Sequence, residues 1–146
     1  MTVYLIACSA KKLPHAAPAA DLYQGQAFKL ARALAIRDAS RWAILSAKHG
    51  LVEPETVIEP YDYALRDASL EKRRAWGARV SAALHARGYR GERVVILAPR
   101  AYVVPILADR LGSNVFEQFD TPLRGLGRSE EHTSELQSRE TISYAV

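Results

Sequence analysis

The most reactive side chain in this 146-residue sequence occurs once, as Cys8. It opens Cys8-Ser9-Ala10-Lys11-Lys12, directly after a short apolar run. Ammonium groups close to a thiol favour the thiolate, which is a nucleophile and an oxidation-sensitive group. The same pattern also suits an inert thiol closing a buried strand. Lys11 and Lys12 can hold a phosphate or carboxylate by point charge with help from loop N–H groups, or form a solvated lysine pair. Ser46-Ala47-Lys48-His49-Gly50 offers a second lysine, a serine and an imidazole able to exchange a proton near neutral pH. A histidine merely packed at a strand end reads identically. Cys8 with His15, His49 and His85 has no zinc-type spacing, so neither a metal nor a cofactor is expected.

Three further stretches carry chemical potential. Leu22-Tyr23-Gln24-Gly25 puts an aromatic hydroxyl and a glycine at the start of a helix, where backbone N–H groups favour anions; an ordinary turn is the plainer reading. Glu59-Pro60-Tyr61-Asp62 can fold back as a lid, with Asp62 or Glu59 orienting His49 or binding a ribose hydroxyl, or be a solvated acidic loop. A helix carrying Lys72, Arg73, Arg74, Arg79 and Arg87 can track a phosphate backbone or be a solvated basic face. No P-loop, GxGxxG or catalytic serine elbow occurs.

The elements that must position these groups follow from hydrophobic pattern. Val3–Ala7 and Trp42–Ser46 are short apolar runs that read as buried strands, and Arg93–Ala98 is a third. Lys11 to Ala20 lacks periodicity and reads as loop. Leu22 to Ala39 carries a helical stripe, with Asp21 as its N-cap. Leu51 to Leu65 is punctuated by Pro54 and Pro60 and reads as irregular. Ser69 opens a helix running to Ala86, its core face Leu70, Trp76, Val80, Ala83 and Leu84. Tyr102–Leu111 reads as a short helix, and Val115–Phe119 alternates as an edge strand. Alternating strands and helices predict an α/β fold: three layers, a mostly parallel sheet of about four strands, and helices on both faces. Ligands in such sheets bind beyond the carboxyl ends of the strands. Those ends deliver the Cys8–Lys12 loop, the Ser46–Gly50 loop and Pro99-Arg100 to one rim.

Arg128 to Ser138 resembles the in-frame translation of a short-read sequencing adapter, and Ile142 to Val146 resembles its next constant stretch. Residues 128–146 are therefore expected to be an artefactual, disordered tail, and 1–127 a single, C-terminally truncated domain. The tail's two Arg and four Glu contribute −2 to the chain's net +4, leaving +6 on residues 1–127. That balance permits contact with phosphates without requiring it. No apolar run approaches the length of a membrane span, and no signal peptide is recognisable, so a cytoplasmic protein without membrane contact is expected. One cysteine fits a reducing compartment.

Taken in order, Cys8-Ser9-Ala10-Lys11, Leu22-Tyr23-Gln24-Gly25, Ile44 through Leu51, Pro60-Tyr61-Asp62 and Pro122 through Gly127 resemble a bacterial and phage domain family of unknown function. That family is similar to the peroxide-stress protein YaaA, which has a lysine like Lys11, an Ile-Leu-Ser…Pro-Tyr pattern like Ile44 to Tyr61, and a tyrosine like Tyr102. YaaA-like proteins tend to have serine at the position of Cys8 and lack the Lys48-His49 pair, and no counterpart of their helix-hairpin-helix is found. The Cys-Ser…Lys pattern also resembles a short motif of archaeosine synthase, which modifies a deazaguanine base in tRNA. The resemblance implies a nucleotide, a nucleobase or nucleic acid as ligand. Cys8 and His49 are then the candidates for catalysis, with Ser9, Lys11, Lys12, Tyr23, Gly25, Ser46, Lys48, Tyr61 and Asp62 around the ligand. The alternative is a non-catalytic nucleic-acid-binding stress protein that uses Lys72, Arg73, Arg74 and Arg79. Whether the protein is an enzyme stays open at this point.

Overall fold

The structure is a computed structural model and describes residues 2–39, 41–88 and 93–108. The strand β1 (Thr2–Ala7) is apolar on both faces and buried on both. After it come β2 (Ala17–Pro18), the one-turn helix α1 (Ala19–Leu22) and α2 (Gln26–Asp38). The chain continues through β3 (Arg41–Ser46), β4 (Gly50–Val52), β5 (Val57–Ile58) and a 3-10 turn, Leu65–Asp67. It proceeds with α3 (Leu70–Ala86), β6 (Arg93–Leu97) and α4 (Arg100–Ala108).

Four strands form one mixed sheet in the order β4-β3-β1-β6. β1 pairs parallel with β3 and with β6, while β4 returns antiparallel along β3. Because side chains alternate along a strand, Val3 and Leu5 enter one apolar cluster with Trp76, Val80 and Leu84 of α3 and Val103 and Ile106 of α4. Tyr4 and Ile6 enter another, with Leu22, Tyr23, Phe28, Ala31 and Ala35. Helix α3 starts cleanly because the Ser69 hydroxyl accepts the Lys72 N–H at 3.1 Å, meeting one of the unpaired donors of its first turn. Its Ser81 hydroxyl, fully buried, donates to the Ile106 carbonyl of α4 at 3.3 Å.

The crossovers determine where a ligand can bind. The chain leaves β1, passes through α2 to β3 on one side, then through α3 to β6 on the other side of β1. The carboxyl end of β1 therefore lies between the ends of two parallel neighbours, at the point where the order of connection reverses.

Several expectations need correction. The sheet does have four strands, mostly parallel, but β4 lies in a stretch read as irregular, because a three-residue strand is too short to show a period. The Val115–Phe119 strand, the Pro122–Gly127 motif, the proposed truncation and the 128–146 tail all lie outside the described residues. The stripe assigned to one helix is broken: Ala19–Leu22 turns separately, and α2 is capped by Gly25, not by Asp21. Leu70, expected in the core, is 57% exposed, since it is the first residue of α3 and precedes the face that packs.

Candidate functional site

The tip of β1 is anchored on β3: the Cys8 N–H donates to the Leu45 carbonyl at 3.0 Å. The Ala47 N–H donates to the Cys8 sulfur at 3.3 Å, so the two strand ends are stitched through the thiol. From α4 the Tyr102 hydroxyl comes within 3.3 Å of the same sulfur in a hydrogen bond. Cys8 is half-buried and packs against both apolar clusters. Its open side faces a pocket of about 220 Å³ whose walls include Ser9, Lys12, Asp62, Arg66 and Tyr102.

The loop after Cys8 is held by Ser9, whose hydroxyl donates to the Lys11 carbonyl at 2.9 Å and accepts the Gly25 N–H at 3.1 Å. This contact explains the glycine. A Cβ at Gly25 would lie 2.7 Å from the Ser9 Cβ, so a larger residue would push the loop off the start of α2. Lys12 bends back, donating to the Ala10 carbonyl at 3.1 Å with its ammonium 4.4 Å from the centre of the Tyr61 ring, a cation–π contact. Burial lowers its pKa, against the pull of the Cys8 and Asp62 charges.

Beneath this lies a chain of hydroxyls. Tyr23, fully buried, bonds through its hydroxyl to that of Tyr61 at 2.8 Å, and Tyr61 bonds to the Ser46 hydroxyl at 2.7 Å. Ser46 in turn accepts the His49 N–H at 3.0 Å, while its carbonyl accepts the Trp76 indole N–H at 2.8 Å. Three elements are tied together at one point. Burial pushes the Tyr23 hydroxyl up to about 12, and it also raises Tyr61 and Tyr102 far above the ordinary phenol range. All three therefore stay protonated at neutral pH, available as donors.

The candidates do not all converge. Cys8, Ser9, Lys12 and Asp62 line the pocket, and Tyr23, Ser46, Tyr61 and Gly25 build its support. Lys11 is exposed and lines no described cavity. The His49 imidazole does not meet the thiol: its side chain is exposed and stands edge-on to Tyr61, ring centres 5.4 Å apart. The reason is topological. The turn after β3 leads away from β1 towards β4, and Gly50, at φ +80°, makes that reversal. Burial, then Lys48 and Arg79, lowers the imidazole pKa. Of the segment expected to fold back over the strand ends, Tyr61 bonds to Ser46 and Asp62 lines the pocket, whereas Glu59 is exposed and lines no described cavity.

A second concavity, about 470 Å³, lies beside the first and is lined in part by Lys48, Tyr61, Lys72, Trp76 and Arg79. Asp62 and Tyr63 form walls of both. Of the basic helix residues, Lys72 and Arg79 line this groove, being seven apart on one face, while Arg73 and Arg74 do not. A third concavity, larger than these two at about 660 Å³, is at the opposite end of β3, between Arg41, Trp42, Glu53 and Arg87. It lacks the thiol, the lysines and the hydroxyl chain, and its Arg87 is already paired with Glu53 at 2.8 Å. Volume alone is a poor guide here.

Sequence reasoning missed Arg66 and gave Tyr102 no role at the thiol. Tyr102 sits at the third strand end, where the same strand-end rule could have found it. Arg66 follows Leu65, whose burial anchors the 3-10 turn, and nothing local marks it. Among the described residues, no group of three or more His, Cys, Asp or Glu side chains is gathered as a metal would require. No described helix is long and apolar enough to cross a membrane.

No curated protein matches the chain, so the likeness to YaaA gains no support from comparison. A family model matches residues 3–137, ten residues past Gly127 and into the segment read as adapter. The match spans nearly all of the sequence, and the chain belongs to this family of unknown function (DUF6884).

Proposed function

We propose that the pocket at the end of β1 binds a nucleotide, a nucleobase or a nucleic-acid end. The observation that carries this reading is the make-up of its walls. Lys12 and Arg66 supply positive charge, Asp62 a carboxylate, Tyr102 a donor and an aromatic edge, and Cys8 a nucleophile, around about 220 Å³. That is below the roughly 300–1,000 Å³ of pockets for drug-sized ligands, so the enclosed part of the ligand is about the size of a single base with part of its sugar. Paired cations suit a phosphate, and the carboxylate suits ribose hydroxyls or an exocyclic amine.

If the protein is an enzyme, Cys8 is the group that reacts and Tyr102 its hydrogen-bonding partner. A proton leaving the thiol would pass to the Asp62 carboxylate or to bound water, since His49 makes no contact with the sulfur. This reading keeps the protein YaaA-like and cytoplasmic, a three-layer domain on the strength of its two apolar clusters. The contrasting reading, a stress protein holding nucleic acid on the basic face of α3 without catalysis, draws on fewer residues, because Arg73 and Arg74 stand outside the groove.

A thermal-shift and calorimetric screen of the full chain against nucleotides and nucleobases tests the proposal. A ligand at a hundred times its Kd adds about 2.7 kcal/mol of stability. The expected result is a hit whose effect is lost in Arg66→Ala and reduced in Lys12→Ala. Hits indifferent to both substitutions, or no hit at all, overturn it.

A further inference from the structure

We infer that the ligand reaches the pocket as part of a single-stranded nucleic acid, whose phosphates run along the groove between the β3–β4 turn and α3. The inference rests on the pocket reading above and specifies its substrate class. Pocket and groove adjoin, with Asp62 and Tyr63 as walls of both. Along that surface lie five cations, Lys12, Arg66, Lys48, Lys72 and Arg79, against Asp62 as the only carboxylate among the lining residues. None of the five is in an ion pair among the described residues; those pairs involve Arg32, Arg37 and Arg87. A run of uncompensated positive charge longer than one phosphate can use is the footprint of a polyanion.

The groove's shape favours a nucleic acid over other polyanions. Lys72, Ala75, Trp76 and Arg79 lie on one face of α3, with the small Ala75 keeping the floor open between the two cations. Tyr63 stands 41% exposed at the junction of groove and pocket, an aromatic face available for a base to stack on. Stacking platforms beside a basic track are how single strands are held without sequence preference. A base entering the pocket must be free of its partner, which costs least in an unpaired strand.

Fluorescence anisotropy with a labelled oligonucleotide of about ten residues, compared with nucleoside monophosphates, tests this on the full chain. The wild type should bind the oligomer more tightly than any monophosphate, with log Kd linear in log salt concentration. Lys72→Glu with Arg79→Glu should weaken oligomer binding about tenfold or more and flatten the salt slope by about 1.4. Both side chains are exposed, and Lys72→Glu alone, which breaks no internal side-chain bond, should show half the change in slope. Monophosphate binding should be kept. Monophosphates binding as tightly as the oligomer, or groove variants without effect, overturn the inference and leave the pocket reading standing. Failure of both ligand classes removes both. Competition by polyglutamate at equal charge overturns it in favour of an acidic peptide.

Discussion

Ser46→Ala probes the hydroxyl chain on which the site is built. Ser46 is fully buried, and its hydroxyl serves two partners, the Tyr61 hydroxyl at 2.7 Å and the His49 N–H at 3.0 Å. Each bond contributes about 0.5–1.5 kcal/mol net. The Tyr61 hydroxyl keeps Tyr23 at 2.8 Å, so its loss does not carry the full penalty of a stranded group, while the His49 backbone N–H loses its side-chain acceptor. The substitution should therefore cost about 2 kcal/mol, a large share of the roughly 5–15 kcal/mol that holds a domain. Urea unfolding measures it as a lower midpoint with an unchanged slope. A double-mutant cycle with Tyr61→Phe isolates the shared bond, with an expected coupling of about 1 kcal/mol. Lys12 should keep its place over the aromatic ring in that variant, since the contact uses the ring face and not the hydroxyl. A Ser46→Ala loss under about 0.5 kcal/mol, or strictly additive single variants, would show that the hydroxyls do not act as a unit.

Two other outcomes follow from packing and ionisation. At Gly77 a Cβ would meet the Pro105 carbonyl oxygen, lying 2.5 Å from the carbonyl carbon and 2.8 Å from the proline Cβ. Gly77→Ala should thus cost at least about 1–3 kcal/mol by forcing α3 from α4, read as a lowered Tm; a neutral change would mean that the helices do not touch there. Tyr23 keeps its proton in the fold up to about pH 12 but releases it near 10 when unfolded. Its contribution to stability is complete below pH 10 and lost as pH rises towards 12, and Tyr61 and Tyr102 act in the same sense. Alkaline titration followed by tyrosinate absorbance should show these three of the seven tyrosines ionising late, together with loss of the fold. Smooth independent titration before unfolding would contradict their burial.

Local pattern was enough for the parallel core. Val3–Ala7, Trp42–Ser46 and Arg93–Leu97 are apolar runs short enough to be strands and separated by helical stretches, and that order implies parallel pairing whatever the details. The same logic placed Cys8, Ser46 and Pro99 on one rim, because parallel strands end on the same side. Ser69 and Trp76 were legible too, one as the start of a helix and the other by its spacing from Val80. What the sequence alone could not decide was which member of a strand-end loop turns inward. Lys12 reaches Tyr61 while its neighbour Lys11 is exposed, and Ser46 is buried while His49, three residues on, is carried outward with β4. Arg66 and Tyr102 arrive at Cys8 from 58 and 94 residues away, by the packing of a 3-10 turn and of α4 on the sheet. The make-up of this candidate site depends on long-range contacts, and no local period encodes those.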